Sequence, residues 1–171
     1  MALQRYKIEG YGQLELNAVA FRRSGRIEAQ CKIADGIEYV ENGMLLVVDN
    51  VERVVKYVAE GENLPVALNY TTEHMYDERL LSSLRNFKLD NGTFLPRLGY
   101  LAAGDKFTTN CVCVEGEGDD VKLDAFEGRV YGHTCENGYI LVNNVKDGAL
   151  LKVAEYTTMP DGQEAIKFVA L

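Results

Sequence analysis

Short stretches of apolar residues, alternating or continuous, recur along the chain and predict β-strands. In RIEAQCKIA (26–34) every second residue is apolar, which places Cys31 on a core-facing side. MLLVV at 44–48 is continuously apolar, as is typical of a strand covered on both faces. Asn-Gly pairs ending at Gly43 and Gly138 mark tight turns before such stretches. The pattern therefore predicts a fold dominated by antiparallel β structure.

One stretch has helical periodicity instead. Five apolar residues recur there at helical spacing, namely Met75, Leu80, Leu81, Leu84 and Phe87. Thr71 or Thr72 can cap the first turn. This pattern predicts a helix at about 72–86, followed by a turn at LDNG (89–92). Elsewhere RRSG, ending at Gly25, predicts a polar turn after a strand at 14–21.

Two similar segments flank the predicted helix. ENGMLLV at 41–47 and ENGYILV at 136–142 differ in two of seven positions. Similar turn-and-strand sequences can arise by chance, but we favour a structural repeat made of two related β units. The predicted fold class is thus α+β, mostly antiparallel β. Two small barrel- or sandwich-like units, 1–70 and 105–171, are joined by the helix and crossing at 71–104.

Composition narrows the classes of partner. With 171 residues, 47% of them apolar, the chain can bury a substantial core. A net charge of −8 disfavours non-specific binding to nucleic acid, which requires clustered lysine and arginine. No apolar run is long enough to predict a membrane span. The first residues, MALQRYKIEGYG, do not resemble a signal peptide, so we expect folding in a cytoplasm with reduced cysteines.

Cysteines and a histidine form the one arrangement with the chemistry of metal ligands. Cys111 and Cys113, like His133 and Cys135, are two residues apart and so share a face of a strand. Three thiolates and an imidazole could bind zinc, but this spacing differs from the usual knuckle. Reduced packing thiols are the favoured interpretation, and a disulfide is a third.

No recognisable catalytic motif accompanies these residues. There is no phosphate-binding glycine loop and no histidine motif beside a nucleophile. Glu41 and Glu136 occupy matching turns, where we expect exposed turn residues rather than an acid–base pair. We therefore predict no catalytic, cofactor-binding or metal site.

Most of the chain resembles known structural proteins of virus particles. YTTEHMYDERLL, then NF, then LPRLGYLAAGDKFTTN, followed by β segments such as ENGYILV and DGALLKVAEY, carry the resemblance. In style and layout this is similar to decoration or auxiliary head proteins of tailed phages that infect Gram-positive bacteria. No sequence motif transfers individual interface residues.

The resemblance implies a function in assembly. Such a protein is made in the host cytoplasm and binds the major capsid protein of the assembled head, in many copies or with self-association. It stabilises the shell because it binds the assembled state. Aromatic and arginine anchors would carry the affinity, and the candidates are Tyr76, Arg79, Phe87, Phe94 and Arg97. For Phe87 and Phe94, packing inside the protein is an equal alternative.

Two other functions remain open from the sequence. A bacterial module that binds a small ligand or carbohydrate would use exposed tyrosines such as Tyr11, Tyr100 and Tyr131. A small enzyme with an unrecognised site is the third possibility. Tyrosines lining one concave pocket would favour the ligand-binding module, whereas an apolar patch with arginine would favour docking on a lattice.

Overall fold

A computed structural model describes residues 3–6, 8–59, 64–71, 86–116 and 123–171. The only α-helix in these ranges, α1, spans Phe21–Ser24, and a 3-10 turn spans Leu123–Phe126. The strands are β1 (Leu3–Arg5), β2 (Leu14–Ala18), β3 (Ile27–Glu28), β4 (Lys32–Ile33), β5 (Tyr39–Val40), β6 (Leu45–Asp49), β7 (Val54–Lys56), β8 (Val66–Asn69), β9 (Leu89–Asp90), β10 (Leu98–Gly99), β11 (Lys106–Thr109), β12 (Val112–Glu115), β13 (Tyr131–Thr134), β14 (Ile140–Asn143), β15 (Leu151–Thr158) and β16 (Glu164–Ala170).

These strands form two large sheets and one small one. The eight-stranded sheet has the order β1-β12-β14-β13-β15-β16-β11-β2, and the six-stranded sheet has the order β3-β10-β8-β6-β7-β4. β5 and β9 pair separately. Only β12–β14 and β4–β7 pair in parallel among the described strands, so the predicted antiparallel character is confirmed.

Two apolar clusters make up the core, and β6 and β12 contribute to both. Leu45 of β6 and Val112 of β12 lie in the first cluster, with Phe107 and Phe168. Leu46 of β6 lies in the second, as do Cys111 and Cys113. Successive side chains of a strand point to opposite faces, so a strand covered on both sides must be apolar throughout. This explains MLLVV and confirms its predicted burial on both faces.

The observed helix is not the predicted one. The predicted helix at 72–86 lies outside the described residues, except for Asn86. The chain instead turns through one helical turn at Phe21–Ser24, where a polar turn was expected. Phe21 is fully buried, and a β-carbon on Gly99 would come within 2.5 Å of its ring. Burial of this aromatic ring against a bare backbone explains a helical turn that local sequence does not predict.

Strand pairing crosses the predicted limits between β units. β1 and β2, from residues 1–70, pair with β12 and β11, from residues 105–171. β10, from the crossing at 71–104, pairs with β3 and β8. Neither large sheet closes on itself through the described strands. The division into two barrel- or sandwich-like units therefore stays a prediction, and the sheets themselves are shared between its parts.

The two ENG turns share a left-handed glycine but close differently, since the Met44 amide donates to the Glu41 carbonyl in one and the Gly138 amide to the Cys135 carbonyl in the other. Gly43 and Gly138 have φ values of 93° and 79°, which glycine adopts readily. The turns also touch, because the Leu45 amide donates to the Gly138 carbonyl at 2.8 Å. However, β6 pairs with β7 and β8, whereas β14 pairs with β12 and β13. The observed similarity is thus limited to the glycine conformation, and the relation between two β units stays a prediction.

Replacement of Gly43 by alanine tests how tightly its turn is packed. A β-carbon there would lie 2.1 Å from Thr109 Oγ1 and 3.0 Å from Cys111 Cβ. We expect Gly43→Ala to lower the free energy of unfolding by about 1–3 kcal/mol more than backbone strain alone. Gly36→Ala is the matched control, because Gly36 has a φ of 92° with open space around it. Urea unfolding measures both, and equal losses would contradict the packing argument.

Candidate functional site: the buried Glu41 junction

A buried ion pair lies where the first strand meets the turn before β6. Nη1 and Nη2 of Arg5 donate to the two carboxylate oxygens of Glu41 at 2.9 and 2.6 Å. The Glu41 side chain is 0% exposed and that of Arg5 is 27% exposed. Two parallel hydrogen bonds of this kind are the strongest geometry for an arginine–carboxylate pair. The pair therefore fixes β1 against the Glu41 turn.

Three further groups surround the Glu41 carboxylate. The Gly12 amide donates to Oε2 at 2.9 Å, and the Cys111 thiol lies 3.8 Å from the same oxygen. Tyr139 Oη lies 3.5 Å from Oε1. A β-carbon on residue 12 would come within 2.9 Å of Oε2, so only glycine brings its amide this close. Both oxygens are occupied by protein donors, and the arrangement joins four separate chain segments to one turn.

A second set of hydrogen bonds extends from this turn toward residue 97. Asn69 Nδ2 donates to the Glu41 carbonyl at 2.8 Å, and the Thr71 hydroxyl donates to Asn69 Oδ1 at 2.7 Å. The Arg97 amide donates in turn to the Thr71 hydroxyl oxygen at 2.9 Å. Asn42 adds a bond to the Thr71 carbonyl at 2.9 Å. The junction is thus continuous with the segment that precedes β10.

Burial and pairing act in opposite directions on the charges of this site. Burial raises the pKa of Glu41 above its ordinary value, and attraction to Arg5 and the Gly12 amide only partly offsets this. Burial is the largest single influence and lowers the pKa of Arg5, but attraction to Glu41, Tyr139 and Cys111 and the hydrogen bonds to Glu41 together outweigh it, so the net shift is upward. Burial also raises the pKa of Tyr57 to about 12 and that of Tyr139 further. The phenols consequently stay protonated at neutral pH.

Aromatic rings and a lysine lie on the outer side of the junction. Tyr11 and Tyr39 pack edge to face with ring centroids 5.5 Å apart. Lys88 Nζ lies 4.6 Å from the Tyr39 centroid and 5.3 Å from that of Tyr11, and it also pairs with Asp90 at 3.0 Å. Arg5 Cζ lies 4.7 Å from the Tyr139 centroid. Each cation stacks on aromatic rings of the protein itself.

No protein-family model, no curated protein and no solved structure matches this chain. Within the described ranges, no set of three or more His, Cys, Asp or Glu residues is arranged to hold a metal ion. No helix in that part of the chain is long and apolar enough to cross a membrane.

The cysteines predicted to lie in the core are buried. Cys31, Cys111, Cys113 and Cys135 all carry free thiols there. Cys113 and Cys135 lie together, with their Sγ atoms 3.4 Å apart. His133 is half-buried on the neighbouring strand, and its Nε2 donates to the Val145 carbonyl at 2.8 Å. The structure therefore brings two thiols into contact and directs the histidine to a backbone partner.

The predicted partner-contact residues divide into three groups. Tyr76 and Arg79 lie outside the described residues. Phe87 is 8% exposed, which agrees with packing inside the protein, the alternative that the sequence left open for it. Phe94 is 56% exposed, and Arg97 is also exposed. Of the described candidates, only the last two face solvent.

Glu41 is the residue of this site that the sequence argument placed wrongly. We expected an exposed turn residue, and Glu136 in the matching turn is indeed exposed. Glu41 is fully buried because Arg5, 36 residues away, neutralises it. No local pattern reports a partner at that separation. The one available sign was the position of Glu41 directly before a continuously buried strand.

Replacement of Arg5 by methionine tests the ion pair. Arg5→Met leaves the fully buried Glu41 without its cation, so we expect a loss of about 3 kcal/mol in unfolding free energy at pH 7. Attraction to Arg5 lowers the pKa of Glu41, so its removal raises that pKa further. A carboxyl group whose pKa is higher in the folded than in the unfolded protein destabilises the folded protein once the pH exceeds its pKa in the unfolded protein. The deficit should therefore shrink as pH falls toward 5.

Lys167→Met is the control for this experiment. Lys167 pairs with Glu155 at 3.7 Å, but the two side chains are 33% and 60% exposed. Such a pair contributes about 0.2–1 kcal/mol, so its loss should be small. Denaturant unfolding between pH 5 and 8 compares both variants with the parent protein. A pH-independent deficit in Arg5→Met would contradict the assignment of the effect to Glu41.

Proposed function

We propose that this chain is a structural protein of a tailed-phage particle that binds and stabilises the assembled head through protein–protein contacts. The exposed Phe94 and Leu95, with Arg97 close behind, carry the proposal. Phe94 is 56% exposed and Leu95 is 49% exposed. A large aromatic residue, an aliphatic neighbour and an arginine are the residue types that anchor protein interfaces. On this proposal the chain has no catalytic role.

The segment that presents these side chains is held at both ends. Asn91 Nδ2 donates to the Ala34 and Ile37 carbonyls at 3.1 and 3.0 Å, and β9 pairs with β5. At the other end the Tyr70 amide donates to the Arg97 carbonyl at 2.9 Å. Pro96 and Leu98 are buried. A contact segment fixed in this way loses little conformational entropy on binding, which favours a preformed docking element.

Charge suggests what kind of surface would receive this segment. The chain carries a net charge of −8. An acidic protein is attracted to basic patches and repelled by other acidic ones, and this complementarity accelerates and orients association. We therefore propose that the segment docks on a surface of the assembled major capsid protein that combines an apolar recess with basic residues at its rim. Many copies on one particle would compensate for a modest affinity per site.

The alternative ligand-binding function has less support. Tyr11 is half-buried and packs on Tyr39, with Lys88 beside both rings. An open groove of about 500 Å³ runs along residues 18–24, and its described lining contains no tyrosine. The tyrosines proposed for stacking on a sugar therefore do not gather around this groove.

Co-sedimentation with phage heads tests the proposal. Purified protein is mixed with heads of the phage that encodes it, assembled without this protein, and separately with the unassembled major capsid protein. We expect saturable binding to assembled heads only. Phe94→Ala should weaken binding by about 30-fold or more, because a buried aromatic anchor contributes about 2 kcal/mol or more. Weaker binding of the parent protein at higher salt concentration would measure the electrostatic contribution to the affinity.

Val145→Ala is the matched control. Val145 is also 56% exposed, but it lies beyond β14, away from the segment at 91–97 in sequence. Its replacement should leave the affinity unchanged. Absence of binding to heads by the parent protein would reject the proposed function. Equal losses in both variants would reject the assignment of the contact to Phe94.

A further inference from the structure

Two buried thiols lie in contact in the second apolar cluster. Sγ of Cys113, on β12, is 3.4 Å from Sγ of Cys135, which directly follows β13. The two residues are 22 positions apart in sequence. A disulfide requires the sulfur atoms to approach to about 2 Å, so small rotations of both side chains suffice if the backbone stays in place. Such proximity of two thiols is the first requirement for an intramolecular disulfide.

The surroundings give the two sulfur atoms different chemical characters. Sγ of Cys135 lies within hydrogen-bond distance of Asn137 Oδ1, at 2.6 Å, and of the Tyr139 carbonyl oxygen, at 3.0 Å, and the hydrogen bond from Cys113 lowers its pKa. The same bond, together with burial, raises the pKa of Cys113. Cys135 is also the more accessible residue, at 8% exposed against 0% for Cys113. Because Cys135 is the more accessible of the two and Cys113 is in contact with it, Cys135 is placed to react first and Cys113 to resolve the product.

Cys111 is positioned outside this pair. Its thiol points to Oε2 of Glu41, at 3.8 Å, and the residue is 0% exposed. Burial raises the pKa of Cys111 well above its ordinary value, and the Glu41 charge adds to this. Cys111 therefore stays a thiol, engaged in the junction, when its neighbours react.

We propose that Cys113 and Cys135 are a peroxide-reactive dithiol that closes to an intramolecular disulfide. The Cys135 thiolate attacks one oxygen of hydrogen peroxide, the O–O bond breaks, and hydroxide leaves, which gives a sulfenic acid. Cys113 sulfur then attacks Sγ of Cys135; the S–S bond forms, the S–O bond breaks, and the Cys113 proton leaves with the hydroxide as water. In sum, two thiols lose two electrons and two protons, and one peroxide becomes two waters.

The consequence is a covalent link between β12 and the turn after β13. β12 and β13 lie on either side of β14, so the disulfide would connect β12 to the end of β13 across that strand. Closing a loop of this length restricts the unfolded chain, and the folded protein should gain stability. The inference does not depend on the proposed function. It would let the protein become more stable after it leaves a reducing compartment.

Thiol counting and peptide mapping test the proposal on the whole protein. Reduced protein is treated with hydrogen peroxide, unfolded in N-ethylmaleimide and analysed by mass spectrometry. Of the four cysteines, only two should become alkylated. In a sample taken before alkylation the intact mass should fall by about 2 Da for the two hydrogen atoms lost, and the peptide map should join Cys113 to Cys135. The melting temperature should rise by about 5–10 °C and return on addition of dithiothreitol.

Three single variants make the result specific. Cys31→Ser and Cys111→Ser should both keep the cross-link, because neither residue belongs to the pair. Cys113→Ser should instead accumulate Cys135 sulfenic acid, trapped by dimedone, with no cross-link. Four alkylated cysteines after treatment, a link to Cys111, or a link between two chains would each overturn the proposal. The mapping of the parent protein decides the question even if a variant does not fold.

Discussion

The structure depends on the neutralisation of one buried carboxylate. Glu41 lies at the only point described where the N-terminal strand, the Gly12 loop and the entries to β12 and β14 converge on one turn. An unpaired carboxylate in this position would be prohibitively costly. Because the buried carboxylate needs Arg5, the ion pair constrains the geometry of the sheet. β1 can pair with β12 only in the register that brings the guanidinium to the carboxylate. A buried pair of this kind adds more to the uniqueness of the fold than to its stability.

That requirement extends from the core to the surface. The Glu41 carbonyl is bonded to Asn69, Asn69 to Thr71, and Thr71 to the Arg97 amide. Glu41, Asn69 and Thr71 are buried polar residues that need their partners, so their positions and that of the Arg97 amide are correlated. The segment bearing Phe94 is consequently linked to the same residue whose carboxylate holds β1. A docking element fixed from the core can present its side chains without ordering them anew at each contact.

The sequence predicted what depends on local periodicity and missed what depends on distant pairing. The continuous apolar run at 44–48 and the inward face of Cys111 and Cys113 follow from the alternation of side chains along a strand, and both are observed. Burial of Glu41 could not be predicted, because its partner is 36 residues away and Glu136, in the same local sequence, is exposed. The helical turn at Phe21 likewise depends on Gly99, which the fold brings beneath the ring.

The same limit explains why sheet membership differs from the order of the chain. Turn residues predict where strands end, but they do not determine which strands pair, since the pairing energy comes from contacts between distant segments. β1 and β2 do not pair with the strands that follow them in the chain; they form the two edges of the sheet that contains β11 to β16. This exchange covers Val112 and Val114 on one side while Cys111 and Cys113 are covered on the other. The thiol pair is therefore a product of the fold: a strand buried on both faces places Cys113 where the end of β13 delivers Cys135.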